Sequence, residues 1–406
     1  MAPVHPHESA LKPLRLTHFT ATSCLGTGVT PMRIALESTR GGLAPCRFET
    51  VDLATWVGEV PDVDAVRIPR DLHAYDCRNN RLAWLGLQQD GFFDALREAA
   101  GRHGAERIGV FLGTSTSGIL DTELAYRERD PASGALPADY NYRGTHNIFS
   151  VAEFLRAAAG LRGPAFVISS ACSSSAKVFA AAARMIDTGL IDAAVVGGVD
   201  SLCLTTLYGF NSLELLAPAA CRPFDAARRG ISIGEAAAFA LLERDLPGTR
   251  AIRLVGYGES SDAHHMSSPH PEGRGAYQAM CAALARAGLG ADDIDYINLH
   301  GTGTPSNDAA EGKAVAALFG DRVPASSTKG ATGHTLGASG GLEAVICAIA
   351  LEDALLPGNV GLETPDPAIP IRLQQRSAPG TLRRVLSNAF GFGGTNASLI
   401  FSREAP

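Results

Sequence analysis

Long apolar runs are missing from this chain of 406 residues. None reaches the ~18 residues that a membrane-spanning helix requires, so no membrane span is expected. The opening stretch, MAPVHPHESALKP, lacks the apolar core of a secretory signal and reads as a polar tail over residues 1–14. Positive charge is short: 35 Lys and Arg stand against 42 Asp and Glu, a formal net charge of −7. Such a chain is poorly equipped to grip nucleic acid by its phosphates, and no nucleic-acid partner is expected. The eight cysteines include no Cys-x-x-Cys pair, which removes a zinc knuckle and a disulfide framework. Charged residues make up only 19% and hydrophobic ones 46%, so disorder, collagen and coiled coil are excluded and a large core can form. The expectation is a cytoplasmic α/β protein with reduced thiols, built as one large or two ordinary domains.

What is present alternates. Runs 107–112 (RIGVFL), 165–169 (AFVIS) and 193–197 (AAVVG) are short, apolar or β-branched, and bounded by Gly or Ser, as buried strands are. Between the last two, Ala176, Phe179, Ala180, Ala183 and Ile186 recur at helical spacing until Gly189, which predicts a βαβ unit and hence a parallel sheet. The layout returns after residue 250, with strands at 251–257, 294–299 and 384–386 and helices at 277–287, 309–319 and 342–355. This predicts two α/β halves, 15–248 and 249–406, joined through the LPGT loop, although no motif repeats at a fixed period. Segment 127–145, rich in Pro, Gly, Asp and Tyr, reads as a surface excursion or part of a subunit interface.

Three loops carry residues capable of chemistry. Cys172, in S-S-A-C-S-S-S-A, stands where a strand passes into a helix, and helix-terminal N–H groups there favour a thiolate and can hold an oxyanion. A packed cysteine beside capping serines is the alternative. His300 closes a strand and opens H-G-T-G-T-P-S-N-D-A-A-E, at the kind of strand end where α/β ligand sites form, unless it is a turn histidine. His334 lies beyond Lys329 in a loop with five glycines among residues 329–341, and Glu343 on the next helix could neutralise the lysine. The order Lys-Gly does not fit a phosphate loop, and N-A-F-G-F-G-G-T-N at 388–396 does not fit the dinucleotide fingerprint. Two decoys can be set aside. Ser232 in G-I-S-I-G follows a turn rather than the strand that a nucleophile elbow needs. His264, His265 and His270 share no helix face and have no carboxylate or cysteine framework, so no metal site is expected.

Together, A-C-S-S-S-A, H-G-T-G-T-P, T-K-G-A-T-G-H and N-A-F-G-F-G-G-T-N, with R-P-F-D at 222–225 and G-E-A-A at 234–237, resemble the β-ketoacyl-[acyl-carrier-protein] synthases. The motifs run in the family's order over roughly three quarters of the chain. The resemblance implies a thiolase-like fold: two βαβαβαββ halves stacked as a five-layer α/β/α/β/α sandwich, as a homodimer or as a heterodimer with a related synthase subunit. It also implies a decarboxylative condensation. Cys172 would take an acyl chain from an acyl carrier protein, and His300 and His334 would stabilise the enolate made when malonyl-carrier protein loses CO2. Lys329, with Glu343 as partner, would set the local charge, and Asp308 and Glu311 would be supporting residues. Backbone N–H groups of Cys172 and Phe392 would form an oxyanion hole, and Phe392 matches a gating phenylalanine. Thr302 and Thr304 would bond the phosphopantetheine arm, which arrives on the substrate, so no cofactor of the protein's own is expected. Two histidines separate the chain from family members that use a second cysteine or an asparagine, and retention of Cys172 sets a silent tunnel-shaping subunit behind an active one.

The chain departs from the family pattern in three places. Its start reads L-T-H-F-T-A-T-S-C-L-G from Leu16 in place of a glycine-rich turn, and the expected R-D-G-F reads R-R-G-I at 228–231. The basic cluster expected to meet an acidic carrier is reduced to Arg67, Arg70, Arg78 and Arg81 among acidic neighbours. These differences point away from housekeeping elongation and towards a polyene or other specialised acyl pathway.

Overall fold

The computed structural model describes residues 10–245 and 251–403. The expected polar tail lies outside the described residues up to residue 9, and residues 10–13 precede the first strand without regular structure. Most of the expected LPGT joint also lies outside them.

Ten strands form one sheet: β1 (Leu14–Ser23), β2 (Ile108–Gly113), β3 (Ala165–Ile168), β4 (Ala193–Asp200), β5 (Ala236–Arg244), β6 (Ile252–Ser261), β7 (Tyr296–Asn298), β8 (Ala325–Ser326), β9 (Arg384–Gly391) and β10 (Thr395–Ser402). Their order in space is β3-β2-β4-β5-β1-β6-β10-β9-β7-β8. Read inward from either edge, the two runs of five have the same order, 3-2-4-5-1. The outer three strands of each run are mutually parallel, and the inner two run antiparallel to their neighbours. The repeat that no sequence motif displays is therefore written in the topology. The runs meet along a short seam, where Leu14, Arg15 and Leu16 of β1 pair with Leu254, Arg253 and Ile252 of β6.

Five layers follow from which face each helix buries. Helices α1 (Arg78–Leu87), α2 (Phe92–His103) and α3 (Ser150–Ala158) cover the outer face of the first run. Helices α5 (Arg274–Ala287) and α6 (Pro305–Phe319) cover the second. Between the runs lie α4 (Ser174–Asp187) and α7 (Ser339–Asp353), each touching strands of both. A helix so placed has no polar face, and every residue of α7 from Ser339 to Leu351 is buried. Helix α7 starts three residues earlier than the periodicity predicts and ends at Asp353, because Ala354 turns left-handed at φ 53°.

Small residues decide how closely the central helices approach. A Cβ on Gly340 would stand 2.6 Å from the Ala176 backbone nitrogen. Only glycine lets the first turn of α7 lie against the first turn of α4, and this contact draws the two loops that precede those helices together. Segment 127–145 has no strand or helix after Arg127, and its Tyr142 is exposed on the single chain, as either a surface excursion or a part of a subunit interface would be. Among the described residues, no helix is long and apolar enough to cross a membrane.

Candidate active site

The residues singled out in the sequence converge where parallel strands end, the place an open α/β sheet offers a ligand. Cys172 follows β3, His300 follows β7, Lys329 and His334 follow β8, and Phe392 follows β9. Ala171 takes a left-handed turn at φ 52° to lift Cys172 out of the strand. Gly391 passes so close beneath it that a Cβ would lie 2.9 Å from the Ser170 carbonyl and 3.2 Å from the Cys172 nitrogen.

The sulfur of Cys172 lies 3.0 Å from Nε2 of His334. The sulfur and one nitrogen each of His300 and His334 all fall within 4.8 Å of one another. The two imidazoles stand edge to face, 5.3 Å between centroids, with Phe390 against His300. All three polar side chains are buried. Their protons follow from their neighbours. Nδ1 of His334 accepts from the Leu336 backbone N–H at 3.1 Å, so the ring carries its proton on Nε2, aimed at the sulfur. Nδ1 of His300 lies 3.4 Å from Nζ of Lys329. An ammonium only donates, so His300 also carries its proton on Nε2. Burial first, and then Lys329, hold both imidazoles well below their usual pKa, so both are neutral. Lys329 is bonded to Glu343, and burial lifts that carboxyl to about 7 against the pull of the lysine.

A cysteine and two histidines this close also suggest a metal triangle. The donor pattern argues otherwise: a ligating histidine gives its second nitrogen's proton to an acceptor, whereas here both second nitrogens receive a donor. The cage presents two N–H groups to one point, the arrangement that holds an oxyanion.

The thiol itself corrects one expectation. Burial pushes Cys172 up to about 11, outweighing the Lys329 charge and the N–H groups of Phe392 and of Cys172 that pull it down. The resting sulfur is therefore a thiol, and the charge that Lys329 supplies matters when the proton leaves. Because the thiolate fraction below such a pKa grows about tenfold per pH unit, iodoacetamide modification at Cys172 is expected to accelerate steadily from about pH 6 to about pH 9. Peptide mapping would show this, and a plateau near neutrality would mean that the thiolate is already formed there.

The supporting residues occupy one shell. Glu311 accepts from the backbone N–H groups of His300 and Gly301, each at 2.8 Å, and from Asn388 at 3.2 Å. Burial lifts its pKa to about 7. Asp308, raised by burial as well, accepts from the N–H groups of Phe224, Thr302 and Gly303. Both carboxylates project from α6 and fix the loop that carries His300. The Thr302 and Thr304 hydroxyls, 2.9 Å apart, line the same narrow pocket as Cys172. The Phe392 ring, half-exposed at its mouth, rests against Phe210 at 5.6 Å.

Other expectations resolve plainly. Ser232 is buried, its hydroxyl accepting from the Cys221 N–H and its carbonyl from the His334 N–H, so it braces the His334 loop. His265 and His270 accept from backbone N–H groups of their own loop. Arg78 is no docking residue: it is buried against Glu235 at 2.6 Å and Asp64 at 2.5 Å. Arg81 is held by Asp76 at 2.6 Å, while Arg67 and Arg70 remain exposed. The motifs did not single out Phe390, Asn388, Asp200 or Ser339, whose hydroxyl lies 3.0 Å from Nδ1 of His334. Asn388 and Phe390 lie inside a quoted motif, and the carboxylate ending the apolar run of β4 is a signal for Asp200.

A twice-repeated 3-2-4-5-1 sheet around two buried helices, with a cysteine at one central helix start facing two proton-bearing imidazoles, defines a thiolase-like condensing enzyme. Family profiles agree: the β-ketoacyl synthase N-terminal domain matches residues 82–247 and its C-terminal domain residues 252–363. The 3-oxoacyl-[acyl-carrier-protein] synthase 2 of Rhizobium meliloti (strain 1021) is 38% identical over 323 residues, 73% of this chain and 74% of that protein. Nodulation protein E of Rhizobium meliloti is 36% identical over 324 residues, 76% and 80% respectively. Among solved structures, a chain of the Xenorhabdus doucetiae ketosynthase in complex with its chain length factor is 36% identical, with a TM-score of 0.84 over 99% of this chain and 100% of that one. A chain of the ishigamide ketosynthase/chain length factor gives 27% identity and a TM-score of 0.87 over 97% and 100%. The chain belongs to the β-ketoacyl synthase family and is an acyltransferase-type condensing enzyme.

Proposed function

We propose that the protein extends acyl chains carried on acyl carrier protein by decarboxylative condensation, in a fatty-acid or specialised polyene or polyketide-type pathway. The observation that carries this reading is the meeting of the Cys172 sulfur with two imidazole N–H donors. The thiolate of Cys172 attacks the acyl thioester carbonyl, and the carrier's phosphopantetheine thiol leaves with the proton. In the bound malonyl thioester the bond to the carboxylate breaks, CO2 departs, and its electron pair forms an enolate whose oxygen accepts from Nε2–H of His300 and His334. The enolate carbon then attacks the acyl-cysteine carbonyl, whose oxygen is held by the N–H groups of Cys172 and Phe392. Collapse releases 3-oxoacyl-carrier protein and the thiolate, which takes up a proton from solvent to regain the resting thiol. Lys329, balanced by Glu343, keeps the cage positive as negative charge develops. Asp308 and Glu311 hold its geometry, and Thr302 and Thr304 take the phosphopantetheine arm. Every reacting group is on the chain or its substrates, so the proposal needs no separate cofactor.

The proposal treats residues 15–248 and 249–406 as the two halves and adds a dimeric state, homodimeric or with a related subunit. Two observations support it: similar chains have been solved in ketosynthase–chain length factor complexes, and β3 is a sheet edge with Phe166 exposed on it. The intact cage favours an active subunit over a silent one. The proposal takes the reaction to run in the cytoplasm, a reading supported by eight free cysteines. Of the four candidate arginines, Arg67 and Arg70 are the two exposed to a carrier. Intact-mass analysis after incubation with acyl-carrier proteins of several lengths is expected to show one acyl adduct, mapping to Cys172 and discharged by malonyl-carrier protein. A chain that takes no acyl group would overturn the proposal.

A further inference from the structure

One buried carboxylate near the cage belongs to none of the roles above. Asp200 ends β4, is fully buried, and faces Cys172 closely enough to oppose ionisation of the thiol. Its Oδ1 accepts from the Thr114 hydroxyl at 2.6 Å, the Ser115 N–H at 2.7 Å, the Thr116 N–H at 2.9 Å and the Thr116 hydroxyl at 2.8 Å. Its Oδ2 accepts from the Gly337 N–H at 2.5 Å. The first four bonds tie down the loop after β2. The fifth reaches across to the other half of the molecule.

That fifth bond lands on a strained turn. Leu336 has φ 52°, a left-handed conformation that a leucine holds only when its surroundings over-determine it. The N–H of this residue donates to Nδ1 of His334, which the Ser339 hydroxyl also meets at 3.0 Å, and so leaves the ring proton on Nε2. Gly337 is pressed onto the carboxylate, and a Cβ there would stand 2.8 Å from Oδ2 and 2.6 Å from the Ser115 hydroxyl. A continuous line thus runs from Asp200 through Gly337 and Leu336 to the His334 imidazole and the Cys172 sulfur. We propose that Asp200 is a positioning residue for decarboxylation: by holding Gly337 it fixes the Leu336 turn, and the turn fixes the tautomer and aim of His334.

The inference rests on the role proposed for His334, and its test separates the two. Asp200→Asn keeps the shape, but its amide cannot supply all five acceptor contacts. With malonyl-carrier protein, this variant is expected to lose about 10²-fold in decarboxylation kcat, the cost of a misaimed group, at unchanged KM. The extent of Cys172 acylation by acyl-carrier protein should be retained. Nitrogen-15 spectra of the histidine side chains should show His334 shifting from the Nε2–H form towards a mixture. Gly337→Ala, which breaks the same contact from the opposite side, should reproduce both changes, and it serves if Asp200→Asn does not fold. Thr116→Val removes the hydroxyl bond to Oδ1 and the acceptor of the Ser201 N–H, neither of which involves Gly337, and should lower the melting temperature while leaving the decarboxylation kcat in place. Folded Asp200→Asn with wild-type kcat and an unchanged His334 spectrum would overturn the proposal, as would acylation and decarboxylation falling together. If the wild-type protein itself fails to decarboxylate malonyl-carrier protein, the functional reading is what fails. The spectra of the two variants then still decide whether Asp200 governs the ring.

Discussion

With Cys172 replaced by alanine, condensation of an acyl-carrier with a malonyl-carrier thioester is expected to fall on the order of 10⁴-fold or more, the scale seen when a covalent nucleophile is removed. Decarboxylation of the malonyl thioester should persist, because the two imidazoles, 5.3 Å apart between ring centroids, do not need the sulfur to hold an enolate oxygen. Their tautomers are set from behind, by the Leu336 N–H and by Lys329, and truncating the cysteine leaves both in place. The measurement pairs CO2 release with the yield of 3-oxoacyl product on one protein preparation. An alanine variant that still condenses would remove the central role given to this sulfur.

Replacing His334 by alanine should produce the complementary loss. One of two donors to the developing enolate disappears, and such a deletion costs about 10²–10³-fold in rate. Acyl transfer onto Cys172 draws on the Lys329 charge and the N–H groups of Phe392 and Cys172, so covalent loading should survive. The variant would then accumulate acyl-enzyme, visible by intact mass, while CO2 release nearly stops. Loss of loading together with CO2 release would mean that the imidazole also takes the thiol proton, which contradicts a ring already protonated on the nitrogen facing the sulfur.

Much of the site was legible because its signals are local. Gly189, Gly288 and Gly320 follow helices as the pattern predicted, each with positive φ. The strand ends that carry Cys172 and His300 were visible as apolar runs breaking into small residues. The rest depends on partners far away in the chain. Arg78 looks like a surface arginine until Glu235, 157 residues on, buries it. The thiol of Cys172 seems activated when only its helix is considered, and burial by surrounding layers reverses the balance. Asp200 and Gly337 are 137 residues apart, and the left-handed turn at Leu336 has no glycine to advertise it. The equal strand order of the two runs was expected from the returning layout and the family resemblance and not from any repeated motif, since topology constrains which strands pair and not which residues compose them.

That equality has a consequence for how the two copies diverge. One run's strand ends carry Cys172 and the other's carry the two imidazoles opposite it, so the frame is repeated and the side chains at its ends are not. Since the hydrogen-bonded seam between the copies is only three residue pairs long, the buried central helices, rather than the sheet, keep the two dissimilar faces in register.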